Sequence, residues 1–383
     1  MATIVSLLIC KPTWQCSSTK AEAIQDHTQA GDVDMQQWEK SRAEAWYKKQ
    51  PFFVGANFNP STAINQLEMW QADSFDPETI KRELGYAKKL GMNMMRVYLH
   101  DLLWQQDPVG FCDRIDIYLD IADKNEIKTM FVLFDDCWQQ TSALGQQPDP
   151  IPFVHNSGWV QSPGVEVVND PDAWPRLEQY VKELLARYKS DERIVAWDLY
   201  NEPGNGISGD ASGGQDKQGA RTLPLLRAVF EWARTVEGLS QPITAGVWHP
   251  GPEYKSLRDF SVENSDIITF HSYLPPAELG RTIMSLGRHE RPMICTEYMS
   301  RGGGSTFPYC LPIFHKHNVG AINWGLVSGK TQTIYPWGWS AEKGEPDLLF
   351  HDVFNPDGSL LYPHEEAAFK LVANVECRMS NVE

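Results

Sequence analysis

Short apolar runs alternate with amphipathic segments along most of the chain, beginning near residue 52. Eight of the runs have the length and composition of buried strands; they cover residues 52–57, 92–99, 127–134, 193–200, 243–247, 267–270, 292–296 and 319–325. In the segment after Asp76-Pro77, apolar residues recur at helical spacing as far as Gly91, and these flanking residues are typical of helix ends. Eight strands that alternate with helices predict an α/β fold, a single (β/α)8 TIM barrel.

The main alternative to a barrel is an open, doubly wound sheet. That fold usually carries a glycine-rich turn for phosphate after its first strand. Here the turn reads Asn57-Phe58-Asn59-Pro60, and the three glycines at 302–304 lack the spacing of a phosphate loop. The barrel is therefore the stronger prediction.

The pattern predicts three regions in the chain. Residues 1–50 form a leader or linker with an N-terminal helix, residues 51–375 the catalytic barrel, and residues 376–383 a C-terminal tail. The apolar run from Thr3 to Cys10 is too short to cross a bilayer, so no transmembrane span is expected. It resembles the end of a signal sequence without the basic start, and Cys10 and Cys16 leave a lipoprotein site open. We expect export to the periplasm, the cell surface or the medium.

Composition narrows the class of ligand. The 383 residues carry a net charge of −16, which disfavours nucleic acid, anionic membranes and polyanionic substrates. Neutral ligands remain compatible, although the charge could simply maintain solubility. The seven cysteines are dispersed without zinc spacing, and no His-x-His follows the first strand. We therefore predict neither a metal nor another cofactor.

Polar and aromatic residues collect where the predicted strands end. Because parallel strands end at one rim of a barrel, these side chains should converge there, as binding to sugar hydroxyls and C–H faces requires. The candidates for substrate binding are Asn57, Asn59, Asp136, Trp138, Trp248 and Trp324. Trp138 and Trp248 could equally be packing residues, and Asp136 could instead cap a helix.

Two glutamates occupy strand ends that are otherwise apolar. Glu202 follows the fourth strand and precedes Pro203, which cannot continue a buried ladder. Glu297 ends the seventh strand, where a charge should not be tolerated without purpose. Strands four and seven are three steps apart in an eight-stranded ring, which leaves roughly 5 Å between the two carboxyl groups. That separation is typical of a retaining glycosidase, at about 5–5.5 Å, rather than an inverting one.

The ordered set of strand-end motifs resembles a known group. Trp-Asp-Leu-Tyr-Asn-Glu-Pro at residues 197–203, His-Ser-Tyr at 271–273, Glu297 and Asn-Trp at 323–324 are similar to clan A glycoside hydrolases, most of all the cellulase-like glycoside hydrolase family 5. The third strand departs from that pattern, because it ends in Asp135-Asp136 where the family often has histidine. The aromatic loop at residues 329–339 is also unusual.

The resemblance implies roles for the matching residues. Glu202 would be the general acid/base and Glu297 the nucleophile. Asn201 would bind the substrate 2-hydroxyl, and Trp324 would form the sugar platform. The other implied supporting residues are Arg96, Tyr273 and His271, the first two holding Glu297 ionised. Arg96 could also pair with Asp198, and His271 and Tyr273 could be ordinary barrel residues.

We therefore expect a retaining β-glycoside hydrolase acting on a neutral β-linked glucan, mannan or xylan. Double displacement requires Glu202 to begin protonated, and burial beside Glu297 should raise its pKa. The alternatives are a glycan-binding barrel without catalysis and a transglycosylase that uses the same carboxylates. Endo or exo action depends on whether the segment from Asp135 to Asn169 closes one end of the cleft. The oligomeric state stays open.

Overall fold

Eight parallel strands form one sheet that closes almost completely into a barrel. In the computed structural model, which describes residues 37–206 and 215–379, their order is β5-β4-β3-β2-β1-β8-β7-β6. The bounds are β1 (Val54–Asn57), β2 (Met94–Tyr98), β3 (Lys128–Asp135), β4 (Ile194–Asn201), β5 (Ile243–Thr244), β6 (Ile268–Ser272), β7 (Met293–Tyr298) and β8 (Gly320–Asn323). A parallel bridge joins Val247, shortly after β5, to Phe270 of β6, at the two ends of this order. The predicted (β/α)8 barrel is confirmed, and each predicted strand is present.

Helices cover the outside of the barrel. They are α1 (Lys40–Tyr47), α2 (Gln66–Trp70), α3 (Pro77–Leu90), α4 (Asp101–Gln106), α5 (Pro108–Lys124), α6 (Val165–Val168), α7 (Trp174–Tyr188), α8 (Thr222–Arg234), α9 (Lys255–Asn264), α10 (Pro276–Leu286), α11 (Phe307–Lys316) and α12 (Glu366–Met379). The predicted ends of α3 are present, because the Asp76 side chain accepts from Thr79 N at 3.0 Å and Gly91 has φ +89°. Strands buried on both faces explain the continuous apolar runs of the sequence.

The N-terminal end of the barrel is closed by α1. The Tyr47 hydroxyl donates to Met293 O at 3.2 Å and accepts from Gly320 N at 3.1 Å. Its ring packs with Phe53 and the apolar residues at the base of the barrel interior. This end is therefore an apolar plug, and the polar side chains occupy the opposite rim.

Some sequence-based predictions fall outside the described residues. The apolar run with Cys10 and Cys16 lies there, as do the last four residues of the predicted C-terminal tail. Within the described parts of the chain, none of the helices has both the length and the hydrophobicity needed to cross a membrane.

Candidate active site

Glu202 directly follows β4 and has an unusual backbone conformation. Its φ is +43°, a left-handed value that a non-glycine residue adopts at some cost. Such strain, of order 1–3 kcal/mol, concentrates at functional sites. The bend directs the chain away from the sheet at Pro203, so that the Glu202 side chain lines the central cavity.

Glu297 belongs to β7 and is held by three donors. Arg96 Nη1 donates to its Oε1 at 2.9 Å, and the Tyr98 hydroxyl donates to the same oxygen at 3.0 Å. The Tyr273 hydroxyl donates to Oε2 at 2.6 Å. The carboxylate of Glu297 thus accepts hydrogen bonds from a buried cation and two phenols, surroundings that stabilise negative charge.

Asp198 braces the guanidinium of Arg96. The Asp198 Oδ2 atom accepts from Arg96 Nε at 3.0 Å and from Nη2 at 2.8 Å, with both side chains fully buried. Burial raises the pKa of Asp198, and the charge of Arg96 opposes that rise. The remaining donor capacity of Arg96 goes to Asn57, Tyr98 and Asn201. The question that the sequence left open is answered, because Asp198 fixes Arg96 from below the site.

Glu202 is held by a different set of donors. His271 Nδ1 lies 2.6 Å from its Oε1, while Oε2 accepts from Asn205 Nδ2 at 2.6 Å and from Cys137 Sγ at 3.2 Å. Burial alone would raise the pKa of Glu202, but the hydrogen bond and charge of His271, with the donors Asn205 and Cys137, outweigh it and lower that pKa. The expectation of a raised pKa is therefore wrong, because donors satisfy both carboxylate oxygens.

The two carboxylates and His271 form one compact group. Ligand atoms of Glu202, His271 and Glu297 all lie within 4.8 Å of one another, and His271 Nδ1 is 3.6 Å from Glu297 Oε2. This spacing agrees with the short separation inferred from the ring geometry, and with a retaining arrangement. A cation could be coordinated by such a group. However, N–H, O–H and S–H donors already point at the carboxylate oxygens, which favours shared protons over a metal.

Asp135 organises the third strand end. Its Oδ1 accepts from Asn201 Nδ2 at 2.8 Å, and its Oδ2 accepts from Trp159 Nε1 at 2.7 Å. Burial raises the pKa of Asp135 to about 6, although these hydrogen bonds oppose the rise. The carboxyl group thus orients Asn201, whose Oδ1 accepts from Arg96 Nη2 at 2.6 Å.

Aromatic rings line a cavity of about 1230 Å³ around these groups. Trp324 packs edge-on against Trp159 at 5.7 Å and against Tyr98 at 5.9 Å. Trp138 and Trp248 border the same cavity, together with Glu202, Glu297, Asn201, His271 and Tyr273. The structure therefore brings together eight of the side chains that the sequence singled out for the site.

Arg96 and three of the predicted sugar contacts do not border that cavity. Arg96 and Asn57 are buried beneath it, and the amide of Asn57 donates to Thr296 O at 2.7 Å. Asn59 donates to Ala63 O at 2.7 Å. The Asp136 oxygens accept from Tyr200, Gly204 and Thr222 at 2.7–3.0 Å, so this residue secures the loop below Glu202.

Five residues of the site were not selected from the sequence: Tyr98, Asp135, Cys137, Trp159 and Asn205. The strand pattern contains a signal for Tyr98, because it lies two residues after Arg96 and so faces the same side of β2. The positions of Trp159 and Asn205 depend on the course of loops, which no periodicity in the sequence specifies.

The fold is similar to several solved structures. The endo-1,4-β-mannanase from Rhizomucor miehei superposes with a TM-score of 0.56 at 16% identity, over 86% of this chain and 96% of that chain. GH5_18 from Streptomyces cattleya, in complex with Manβ1-4GlcNAc, gives 0.57 at 13% identity, over 85% and 80%. The endo-β-1,4-mannanase from Thermotoga petrophila gives 0.53 at 14%, over 85% and 78%. At these identities the similarity shows the barrel fold that the eight alternating strands and helices predict.

The sequence itself matches no protein-family model and no curated protein.

Proposed function

We propose that this protein is a retaining β-glycoside hydrolase. The observation that carries the proposal is the pair Glu202 and Glu297, whose oxygens approach within 4.8 Å of each other in contrasting surroundings. One carboxylate is fixed by a buried arginine and two phenols, while the other lies 2.6 Å from the Nδ1 atom of a histidine. Double displacement needs one carboxylate that attacks as an anion and one group that exchanges protons.

In the first step, Glu297 attacks the anomeric carbon of the bound sugar. The bond from that carbon to the leaving oxygen breaks, and the oxygen takes a proton from Glu202. The product is a glycosyl ester on Glu297. Trp324 supports the sugar ring, and Asn201 binds its 2-hydroxyl, where hydrogen bonds strengthen in the transition state.

The proton for this step reaches the leaving oxygen through Glu202. The 2.6 Å contact between His271 Nδ1 and Glu202 Oε1 gives that carboxylate a hydrogen-bonded neighbour with which it exchanges a proton as the leaving oxygen approaches. This accounts for an acid whose pKa is lowered in the protein without substrate. In the second step, Glu202 accepts a proton from water, and the resulting hydroxide releases the sugar from Glu297.

The substrate is a neutral β-linked oligosaccharide or polysaccharide. Glucan, mannan and xylan chains all present rings to tryptophan faces and hydroxyls to Asn201. The similar solved structures are named as β-mannanases, or carry Manβ1-4GlcNAc, and this favours a mannan-type substrate among the three. A protein with a polysaccharide substrate would act outside the cell, in keeping with the proposed export.

A screen of aryl β-glycosides and plant polysaccharides tests the proposal, comparing the wild type with Glu297→Gln and Glu202→Gln. We expect hydrolysis by the wild type and its loss in both variants. Added acceptor sugar would reveal transglycosylation as transfer products. Glycan binding without any released sugar would instead indicate a binding protein. Full turnover by either variant would refute the assignment.

A further inference from the structure

One end of the active-site cleft is walled by the segment between β3 and α6, residues 136–164. Leaving the third strand, it crosses the ends of the first and second. Asn65 Nδ2 donates to Gly158 O at 2.8 Å and to Gln147 Oε1 at 2.9 Å, and Gln66 Nε2 donates to Val160 O at 2.6 Å. The segment is therefore fixed across one side of the barrel mouth.

The tip of this segment is joined to the loop after β8. Asn156 N donates to Thr331 O at 2.9 Å. Gln332 accepts from Phe153 N at 2.9 Å through Oε1, and its Nε2 donates to Ile151 O at 2.6 Å. Phe153, Asn156 and Gln332 all have positive φ, between +49° and +67°. Strained backbone on both sides of the junction indicates that this closure is specified by the fold.

The closed end presents an unsatisfied acceptor. His155 Nδ1 lies 2.8 Å from Tyr335 O, so Nδ1 carries the hydrogen. Burial lowers the pKa of His155 to about 4, which leaves Nε2 with a free lone pair at neutral pH. His155 borders the central cavity and is 2% exposed, and its Nε2 has no hydrogen-bond partner among the described residues. The imidazole stacks on Trp138 at 5.5 Å, which fixes its plane.

Asn156 is the second polar residue of the wall. It is fully buried, and neither its Oδ1 nor its Nδ2 has a partner among the described residues. It also borders a separate cavity of about 20 Å³, where a single water would fit. His155, which borders only the main cavity, is therefore the clearer recognition group.

The other end of the cleft reaches the surface. Beyond Trp248 the cavity continues past Leu274, Arg281 and Ser285, all of which are exposed. The two ends thus differ in both shape and chemistry.

Catalysis determines which part of the substrate occupies each end. Glu202 gives its proton to the leaving oxygen, so the leaving group lies on the side of β4, β5 and β6, which is the exposed end. The sugar that is cleaved off lies between Glu297 and the wall. The ring of His351 is 5.3 Å from both His155 and Tyr273, and Tyr273 bonds to Glu297. One intervening ring thus links the wall to the residue that bonds the nucleophile, which limits the space between them.

We propose that the cleft accepts one sugar residue beyond the scissile bond, bounded by His155, and that the protein removes single sugars from the non-reducing end of its substrate. The His155 Nε2 atom accepts a hydrogen bond from a hydroxyl of that terminal sugar. This inference rests on the proposed function.

The products formed from β-1,4-linked mannohexaose, cellohexaose and xylohexaose, each labelled with a fluorophore at the reducing end, test this inference. We expect the labelled pentasaccharide and free monosaccharide to appear first, and aryl β-glycosides of the same sugar to be hydrolysed. Labelled disaccharide to tetrasaccharide as first products would overturn the inference while leaving the proposed function intact. If the protein cleaved neither the labelled hexasaccharides nor the aryl β-glycosides, both this inference and the proposed function would be wrong.

Two substitutions separate recognition from folding of the wall. In His155→Asn, the amide can still donate to Tyr335 O, but nothing replaces Nε2. In His155→Gln, the amide oxygen can replace Nε2 and the bond to Tyr335 is lost. We expect KM for the aryl β-glycoside to rise about tenfold in His155→Asn, as for one lost hydrogen bond, and less in His155→Gln. Equal KM values for the wild type and His155→Asn would contradict the role of His155.

Opening the wall should change the products. Gln332→Ala removes the side-chain bonds to Phe153 and Ile151. We expect this variant to release some disaccharide and longer fragments from the labelled hexasaccharide. A product pattern unchanged from the wild type, in a variant whose loop has become sensitive to proteolysis, would show that the wall does not limit the cleft.

Discussion

The two carboxylates of the site lie close together but are held in different ways. Glu297 accepts hydrogen bonds from Arg96 and Tyr98 of the second strand, and from Tyr273, which directly follows the sixth strand. Two of the three partners of Glu202, Cys137 and Asn205, lie in loops after the third and fourth strands. The third, His271, lies on the sixth strand, and its Nδ1 atom is 2.6 Å from Glu202 Oε1.

This difference separates the two chemical tasks. In the proposed mechanism Glu297 must be an anion when it attacks, and a buried arginine braced by Asp198 supplies a permanent countercharge. The proposed acid/base, Glu202, must change its protonation twice per turnover, and its basic neighbour is a histidine instead of an arginine. Substitutions on the two sides should therefore produce different kinetic signatures.

The largest expected effect follows from removing each carboxylate in turn. Glu202→Ala should lower kcat for an aryl β-glycoside by about 10²–10⁴-fold. Azide should partly restore turnover and yield the β-glycosyl azide, because it attacks the ester on Glu297. In Glu297→Ala, azide can only replace the nucleophile, so any product should be the α-glycosyl azide. The anomeric configuration is read by NMR.

A matched control for these variants is Glu365→Ala. Glu365 is also a buried carboxylate paired with an arginine, Arg301, but it lies outside the site. We expect it to lower stability without a response to azide. The same azide anomer from Glu202→Ala and Glu297→Ala would abolish the distinction between the two sides.

The phenols on Glu297 should contribute the next largest effect. A hydrogen bond to a charged group is worth about 1.5–3 kcal/mol, so Tyr98→Phe and Tyr273→Phe should each lower kcat roughly 10- to 150-fold. Tyr273 makes the shorter bond and should matter more. Tyr298→Phe is the control, because its hydroxyl has no partner among the described residues. An equal loss in all three variants would indicate packing instead of charge stabilisation.

Cys137 should set the pH range of the acid with little effect on rate. Its thiol lies 3.2 Å from Glu202 Oε2 and helps to lower the pKa of that carboxyl. In Cys137→Ala, the pKa of Glu202 should rise, and the basic limb of the kcat/KM profile should move to higher pH. Cys137→Ser keeps a donor and should not show this shift. Superimposable profiles for Cys137→Ala and the wild type would exclude such a role.

A separate effect is expected on stability instead of catalysis, from Asp136 below Glu202. Burial raises its pKa to about 8, against hydrogen bonds from Gly204, Tyr200 and Thr222. The folded protein therefore holds a proton that the unfolded chain, with a pKa near 3.9, loses. The resulting stabilisation is complete below about pH 4 and is lost as pH rises through about 8. Urea unfolding of Asp136→Asn should lack this part of the pH dependence.

Asp101 provides a comparison of opposite sign. Burial would raise its pKa, but His100 and Arg176 outweigh that effect and lower it to about 2. Stability due to Asp101 is present above about pH 4 and is lost as pH falls towards 2. If Asp101→Asn and Asp136→Asn changed the pH profile in the same direction, the assignment for Asp136 would be wrong.

The sequence predicted what the barrel strands determine. Arg96 and Glu297 both lie on apolar strands. Because parallel strands end at one rim of the barrel, the topology alone brings these two side chains together. Cys137, Asn205 and His155 reach the site only through the courses of loops. Hydrogen bonds between segments far apart in the chain fix those courses, and no local pattern encodes them.

The choice between Asp135 and Asp136 shows a more specific limit. In β3, Met130 and Val132 face the barrel interior, and strict alternation would turn Asp136 inwards. Leu133 and Phe134 instead both pack in the outer core, so the alternation breaks and Asp135 meets Asn201. A one-residue irregularity of this kind exchanges the two roles.

Covalent trapping tests the central claim most directly. A 2-deoxy-2-fluoro-β-glycoside with a good leaving group, made from the sugar identified in the screen, slows release of the glycosyl ester. Digestion and mass spectrometry of the inactivated protein should find one sugar on the peptide that contains Glu297, and none in Glu297→Gln. A label on Glu202, or steady turnover without any covalent adduct, would contradict the account.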